Sequence, residues 1–305
     1  RKLLSDVRTR LADRHKWPRR WLWPPDLLLP NDIEDAKKYW KEQHDETSQT
    51  IRMDLFDTHC HIDLEAFDGD RDQVLDGARR AGVTRLLVPA VQRSTWAGLL
   101  ELCASDPQLH PALGLHPVYL QRHRVEDIQA LADQVTRHRP VAIGEIGLDW
   151  QLHGLDRQKQ QTLLEAQLEI AQSCGLPVVL HVRKAHDAML NTLRRYRLNG
   201  GFCHAFNGSL VQAGRYLELG FRLGFGGMLT FERSKHLRRL VVELPLEGMV
   251  LETDAPDMTV ASHRYQRNSP AYLPEILSTM ASLRELPEQA VAARTTANAR
   301  EVLGL

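Results

Sequence analysis

The chain has 305 residues, 43% hydrophobic and 26% charged, enough apolar material for a large core. Lys+Arg and Asp+Glu balance at 39 each, which excludes a strong global field for a polyanion; nucleic-acid binding would need a local basic groove. No run approaches the ~18 apolar residues of a membrane span and no signal peptide is visible, while Cys60, Cys103, Cys174 and Cys203 form no CxxC pair and read as free thiols of a reducing, cytoplasmic compartment.

Residues 1–52 are polar and charged, with Trp17, Trp21, Trp23 and Trp40 among Arg and Lys. Pro24 and Pro25 stop any helix through Trp21–Trp23. A helix is expected over 31–45, capped by Asn31 or Asp32. No core-forming pattern is present, and Met53 opens Met-Asp-Leu-Phe-Asp like a natural start. Residues 1–52 are therefore expected to be an extension outside the core, possibly an upstream reading frame joined to the true start; a folded partner segment is the alternative. N-terminal sequencing of the native protein decides between them.

From Met53 the chain alternates. Short β-like runs are expected at 55–58, 85–90, 112–115, 141–145, 178–181, 201–204, 222–226 and 249–252. Helices are expected between them at 72–81, 95–104, 125–138, 157–174, 185–196, 210–219 and 234–242. Stretches 270–283 and 287–303 read as closing helices. Eight strands alternating with helices imply parallel βα units. Residues 53–305 come close to the ~250 typical of a (β/α)8 TIM barrel. A doubly wound sheet is the alternative, weakened by the lack of a GxGxxG turn after the first strand.

The most informative stretch is Asp57-Thr58-His59-Cys60-His61, at the end of the first run. On extended backbone, His59 and His61 point the same way and can share a metal ion. A chance His-X-His is the alternative in a chain with 14 histidines. The context favours the metal: other strand ends carry His116, Glu145, His181, His204 and Asp254, and strand ends of a parallel barrel converge on one mouth. These are ligand types for zinc, manganese or magnesium. Six of these seven groups, all but His116, are too many for one ion. Two ions ~3.5–4 Å apart would use them all: His59, His61 and Asp254 on one, His181 and His204 on the other, Glu145 bridging. Asp254 would orient an activated water and move its proton. The expected reaction class is metal-assisted hydrolysis, with Glu145 and Asp254 indispensable.

The stretches DTHCHID, GEIGLD, LHVR and ETDAP, followed by Arg267-Asn268-Ser269-Pro270, resemble the TatD family of metal-dependent deoxyribonucleases and, within it, the YjjV-type branch. The resemblance spans Met53 to about Leu305 and nothing in 1–52. It implies an amidohydrolase-like barrel, metal ligation at His59, His61, Glu145, His181, His204 and Asp254, and DNA as substrate. Leu-His-Val-Arg replaces the commoner His-Ser-Arg or His-Thr-Arg, leaving His181 and Arg183 in place.

Outside the ligand set, His116 is expected to hydrogen-bond a substrate phosphate or donate a proton; a buried structural histidine before Pro117 is the alternative. Arg183 is expected to clamp a phosphate, unless it supports Glu145 or Asp149. Asp149 and Glu252 are expected to support ligands from behind. Asn207 and Arg267 are candidates for the substrate groove, with solvated loop residues as the equal alternative. The basic run Arg233, Lys235, His236, Arg238 and Arg239 reads as a solvated helix face before it reads as a nucleic-acid track. Hydrolysis of a small amide, ester or lactone is the competing function, since one barrel hosts many chemistries. A non-catalytic binding module is disfavoured by the intact ligand set. No membrane and no obligate protein partner is expected.

Overall fold

The computed structural model describes residues 53–305. The expectations for 1–52, including the helix over 31–45 and the break at Pro24 and Pro25, fall outside the described residues.

Eight parallel strands form one sheet in sequence order: β1 (Leu55–Asp57), β2 (Val83–Pro89), β3 (Leu109–Leu113), β4 (Ala142–Asp149), β5 (Val178–Arg183), β6 (Gly201–Cys203), β7 (Phe221–Phe225) and β8 (Met249–Leu251). The seam between β8 and β1 is drawn together by Thr58, whose backbone N–H and hydroxyl both donate to the Leu251 carbonyl at 3.0 Å. The helices are α1 (Arg71–Arg80), α2 (Trp96–Ser105), α3 (Glu126–His138), α4 (Arg157–Cys174), α5 (His186–Leu193), α6 (Leu210–Glu218), α7 (Lys235–Glu243), α8 (Leu273–Arg284) and α9 (Glu288–Leu303). The expected (β/α)8 barrel is the architecture found. None of the described helices is long and apolar enough to cross a membrane.

Two layers of apolar side chains hold it. Phe56, Leu87, Ala112, Ala142, Val179, Phe202 and Val250, one from each of seven strands, pack together with Ala299 and Leu303 of α9. A barrel filled this way is a packed plug rather than a pore. The opposite strand faces, such as Leu55, Leu86, Leu113, Leu180 and Leu223, pack into the larger layer that also takes the helices' apolar stripes.

Local signals fix the helix ends. Asp156 caps α4, its Oδ1 accepting from the N–H groups of Gln158 and Lys159. Gly175, at φ 66°, ends the same helix ahead of Pro177. Ser209 and Gln212 form a reciprocal capping box at α6.

Two strands differ most from expectation. β3 starts at Leu109 rather than Ala112 because Pro111, which looks like a breaker, needs only its carbonyl there; that carbonyl accepts from Val141 N–H at 3.0 Å. β4 runs past Glu145 to Asp149, after a register shift between Ile143 and Ile146. Glu145 thus sits within a strand, and Asp149 takes the strand's end, beside Arg183 of β5.

Candidate metal centre

All seven predicted strand-end groups converge above the barrel plug. His59 and His61 follow β1, His116 follows β3, Glu145 lies in β4, His181 in β5, His204 follows β6 and Asp254 follows β8. His59 and Glu145 are almost fully buried. All of the seven but His59 line a cavity of about 660 Å³ whose wall also includes Arg183 and Asn207.

Glu145 is the hub. Its Oε2 lies 3.1 Å from His59 Nε2 and 3.4 Å from His61 Nε2. Its Oε1 lies 3.1 Å from His181 Nδ1 and 3.2 Å from His116 Nε2. Asp254 faces the first group, with Oδ1 3.7 Å from His59 Nε2 and 3.6 Å from His61 Nε2; its Oδ2 lies 3.6 Å from His204 Nε2. Three sets of donors sit within 4.8 Å of one another: His59, His61 and Asp254; His59, Glu145 and His204; and His116, Glu145 and His181. His204 stacks on His59 at 3.7 Å between ring centroids, whereas the His181 and His204 rings are 6.3 Å apart.

The outer partners of the imidazoles decide which nitrogen each neutral ring offers. His61 Nδ1–H donates to the Pro89 carbonyl at 3.0 Å, so Nε2 is the bare atom facing inward. His204 Nδ1–H donates to Glu252 Oε1 at 3.0 Å, with the same result. His181 Nε2–H donates to Asp149 Oδ2 at 2.9 Å and leaves Nδ1 bare toward Glu145. His116 is the opposite case. Its Nδ1 accepts from Val118 N–H at 3.1 Å, so Nε2 carries the proton and His116 is a donor rather than a ligand.

Electrostatics agree with a cation-binding design. Burial alone would raise the Glu145 carboxyl, but His116 and His59 hold it well below the usual range. Burial pulls His61 down, yet Glu145 and Asp254 outweigh it and lift it to about 9. His204 is lifted to about 10 against its burial, chiefly by Glu252 and Asp254. The carboxylates thus demand positive charge here. His59 Nε2 and His61 Nε2 face each other at 3.1 Å, a spacing that two bare nitrogens tolerate only around a proton or a cation. Imidazole nitrogens and carboxylate oxygens converging in this way fit divalent ions such as zinc or manganese.

Several supports escape sequence reading. Asp57 accepts from the Thr253 N–H at 2.9 Å and the Thr253 hydroxyl at 2.5 Å, tying the β1 and β8 ends together. Gln160 and Gln167, two turns apart on α4, are both fully buried. Gln167 brackets Leu115, accepting from its N–H at 2.8 Å and donating to its carbonyl at 3.1 Å. Gln160 treats Asp149 the same way, at 2.8 and 3.0 Å. The one signal was two glutamines on the stripe that holds Leu164, Leu168 and Ala171.

Asp149 and Glu252 back His181 and His204, the supporting positions expected of them. Arg183 is exposed, lines the cavity and has no hydrogen bond or ion pair from its side chain among the described residues. Arg267 does not line the cavity: both of its terminal nitrogens pair with the Asp70 carboxylate. The basic run sits at α7 with local partners, His236 on the Gly208 carbonyl and Arg239 on Glu243. Among the described residues all cysteines are free, and only Cys174 is exposed.

Comparison with known proteins places the chain in one family. A family model described as TatD related DNase matches residues 56–304. The chain is 40% identical over 244 residues to the Escherichia coli "uncharacterized metal-dependent hydrolase YjjV", covering 78% of this chain and 93% of that one. It is 32% identical over 258 residues to the Klebsiella pneumoniae "3'-5' ssDNA/RNA exonuclease TatD", covering 82% and 98%. The crystal structure of the E. coli TatD homologue YjjV superposes with a TM-score of 0.81 at 36% identity, over 84% of this chain and all of that one.

Proposed function

Because the chain belongs to the TatD-related DNase family of metal-dependent hydrolases, we propose that it is a deoxyribonuclease that cleaves phosphodiester bonds with the help of two divalent ions, both of which Glu145 would help to hold. The observation that carries this reading is the division of labour at Glu145, whose two oxygens face two different sets of donors. His59, His61 and Asp254 would hold one ion, and His181 and His204 the other. A bound pair of such ions supplies a nucleophile from water at neutral pH and neutralises charge on a phosphoryl group.

The chain's own residues do the rest. Asp254 has 15% of its side chain exposed and opens onto the cavity, where it can take the proton of an attacking water. It is held at φ 60° by its N–H donating to the His59 carbonyl at 2.8 Å. His116 lines the cavity with its Nε2–H on Glu145 Oε1 at 3.2 Å, and exchanging that partner for a phosphate oxygen or the leaving oxygen would make it a donor to the substrate. Arg183, with its guanidinium unspent, is suited to a phosphate by its planar fork. The relative named as a single-stranded nucleic-acid exonuclease makes strand ends the first substrate to try. We also propose that residues 53–305 carry the activity without 1–52, in line with the span of the family match.

One observation favours a second reading. Much of the cavity wall is apolar, including Phe206, Met228, Leu229 and Leu237, which suits a small amide, ester or lactone. Metal-stripped protein incubated with end-labelled single-stranded DNA, with magnesium, manganese or zinc restored separately, decides between them. Shortening that needs added metal and vanishes in Glu145→Ala supports the nuclease. Intact DNA beside turnover of a lactone or ester panel moves the function to small molecules.

A further inference from the structure

A chain of buried polar groups runs from the barrel to the cavity wall beside the metal centre. It starts at Tyr216 on α6, fully buried, whose hydroxyl also meets the Cys203 thiol. The Tyr216 hydroxyl lies 3.2 Å from His186 Nδ1, and His186 Nε2 lies 3.2 Å from Asn207 Oδ1. His186 is buried at the start of α5, and burial holds its imidazole neutral. A neutral ring has one N–H. With Asn207 Oδ1 as acceptor, that proton is on Nε2, and Nδ1 accepts from the tyrosine. Burying a hydroxyl and an imidazole is costly unless both are bonded, and the chain satisfies both. Its outlet is Asn207, an exposed residue on the cavity wall.

The consequence is a fixed polarity. Asn207 Oδ1 is spent on His186, so Nδ2, with no partner among the described residues, is left to a ligand as a pair of N–H donors. The loop carrying it is also fixed. Phe206 N–H donates to the Gly224 carbonyl at 3.0 Å, and the Gly208 carbonyl lies 2.9 Å from His236 Nε2. The Ser209 capping box begins immediately after. On the adjacent strand end, Arg183 lines the same cavity with an unspent guanidinium.

On the phosphodiesterase reading above, we infer that Asn207, oriented by His186 and Tyr216, forms with Arg183 an anion subsite for a second phosphate of the substrate, next to the one being cut. Asn207 contributes hydrogen-bond donors here and takes no part in the chemical step; His186 is a positioning residue. The preferred substrate is therefore a nucleotide chain with a flanking phosphate rather than an isolated diester.

The test is equilibrium binding by the full chain, with and without added manganese, using two fluorescein-labelled thymidine trinucleotides. Both have uncharged methylphosphonate linkages that resist cleavage; one ends in a 3'-phosphate and the other in a 3'-hydroxyl. Wild type is expected to bind the phosphate-bearing probe about tenfold tighter, the size of one charge-assisted hydrogen bond, whether or not manganese is present. Asn207→Ala and Asn207→Asp lose that preference, the second because a carboxylate still accepts from His186 but faces the ligand as an anion. His186→Leu loses it too, while His186→Gln, which can still donate to Asn207, keeps part of it. A preference undiminished in Asn207→Ala and Asn207→Asp, or equal or absent binding of both probes by wild type, overturns the inference. Because nothing is hydrolysed, a failure of the nuclease reading shows separately, as intact DNA in the cleavage assay.

Discussion

Glu252→Ala removes the group behind His204 without touching the cavity. Glu252 Oε1 accepts two bonds, from His204 Nδ1–H at 3.0 Å and Ala205 N–H at 2.7 Å. Its side chain is 1% exposed, so no water replaces them. Breaking a buried, bonded charge pair costs about 3–5 kcal/mol. For a domain of this size, about 2–4 °C is lost per kcal/mol, so the melting temperature falls by roughly 6–20 °C. Without its anchor, His204 is free to turn Nε2 away from Asp254, and metal affinity is expected to drop about 10–100-fold. Urea denaturation of metal-free protein gives the first number, and a zinc titration against a competing chelator gives the second. Glu252→Gln keeps an acceptor oxygen but not the charge, so its losses are smaller on both scales. If Glu252→Ala binds zinc within twofold of wild type, the claim that this carboxylate orients His204 for a cation is wrong.

Gln167→Ala strips Leu115 of both backbone partners, next to His116. Unpaired buried groups cost about 1–3 kcal/mol each, so unfolding free energy should fall by several kcal/mol, read from urea midpoints; a loss under ~0.5 kcal/mol would contradict the bracket's role. Asp57 is raised by burial from 3.8 to about 7, against the lowering hydrogen bonds from Thr253. A carboxyl raised in the fold contributes stability that is complete below the unfolded value near 4 and is lost as pH rises through 7. Asp57→Asn removes that slope, so wild type should lose ground against the variant between pH 4 and 7 in metal-free urea melts, and parallel curves would refute the assignment.

Much of the fold was legible because apolar runs ended in ionisable residues at regular spacing. A barrel puts strand ends in one place, so the sequence alone is enough to group His59, His61, His116, Glu145, His181, His204 and Asp254. The boundaries of β3 and β4 were less legible. Pro111 reads as a breaker although its carbonyl serves the sheet, and Glu145 looks terminal although the strand runs on to Asp149. Buried glutamines were missed because a polar residue on an amphipathic helix reads as solvent-facing; only the backbone groups that they bracket explain them. The sequence alone leaves Arg267 between the substrate groove and a solvated loop, because its partner, Asp70, is nearly two hundred residues away in sequence. The tautomer of His116 depends on a loop N–H, that of Val118, which no side-chain pattern announces.

The most direct measurement is a stepwise titration of metal-stripped protein with manganese, following bound metal and cleavage of end-labelled single-stranded DNA in the same samples. The account predicts binding of two equivalents per chain, cleavage that rises steeply only with the second, and neither full binding nor cleavage in Glu145→Ala. Full cleavage at one equivalent, or two bound ions with intact DNA, would contradict it.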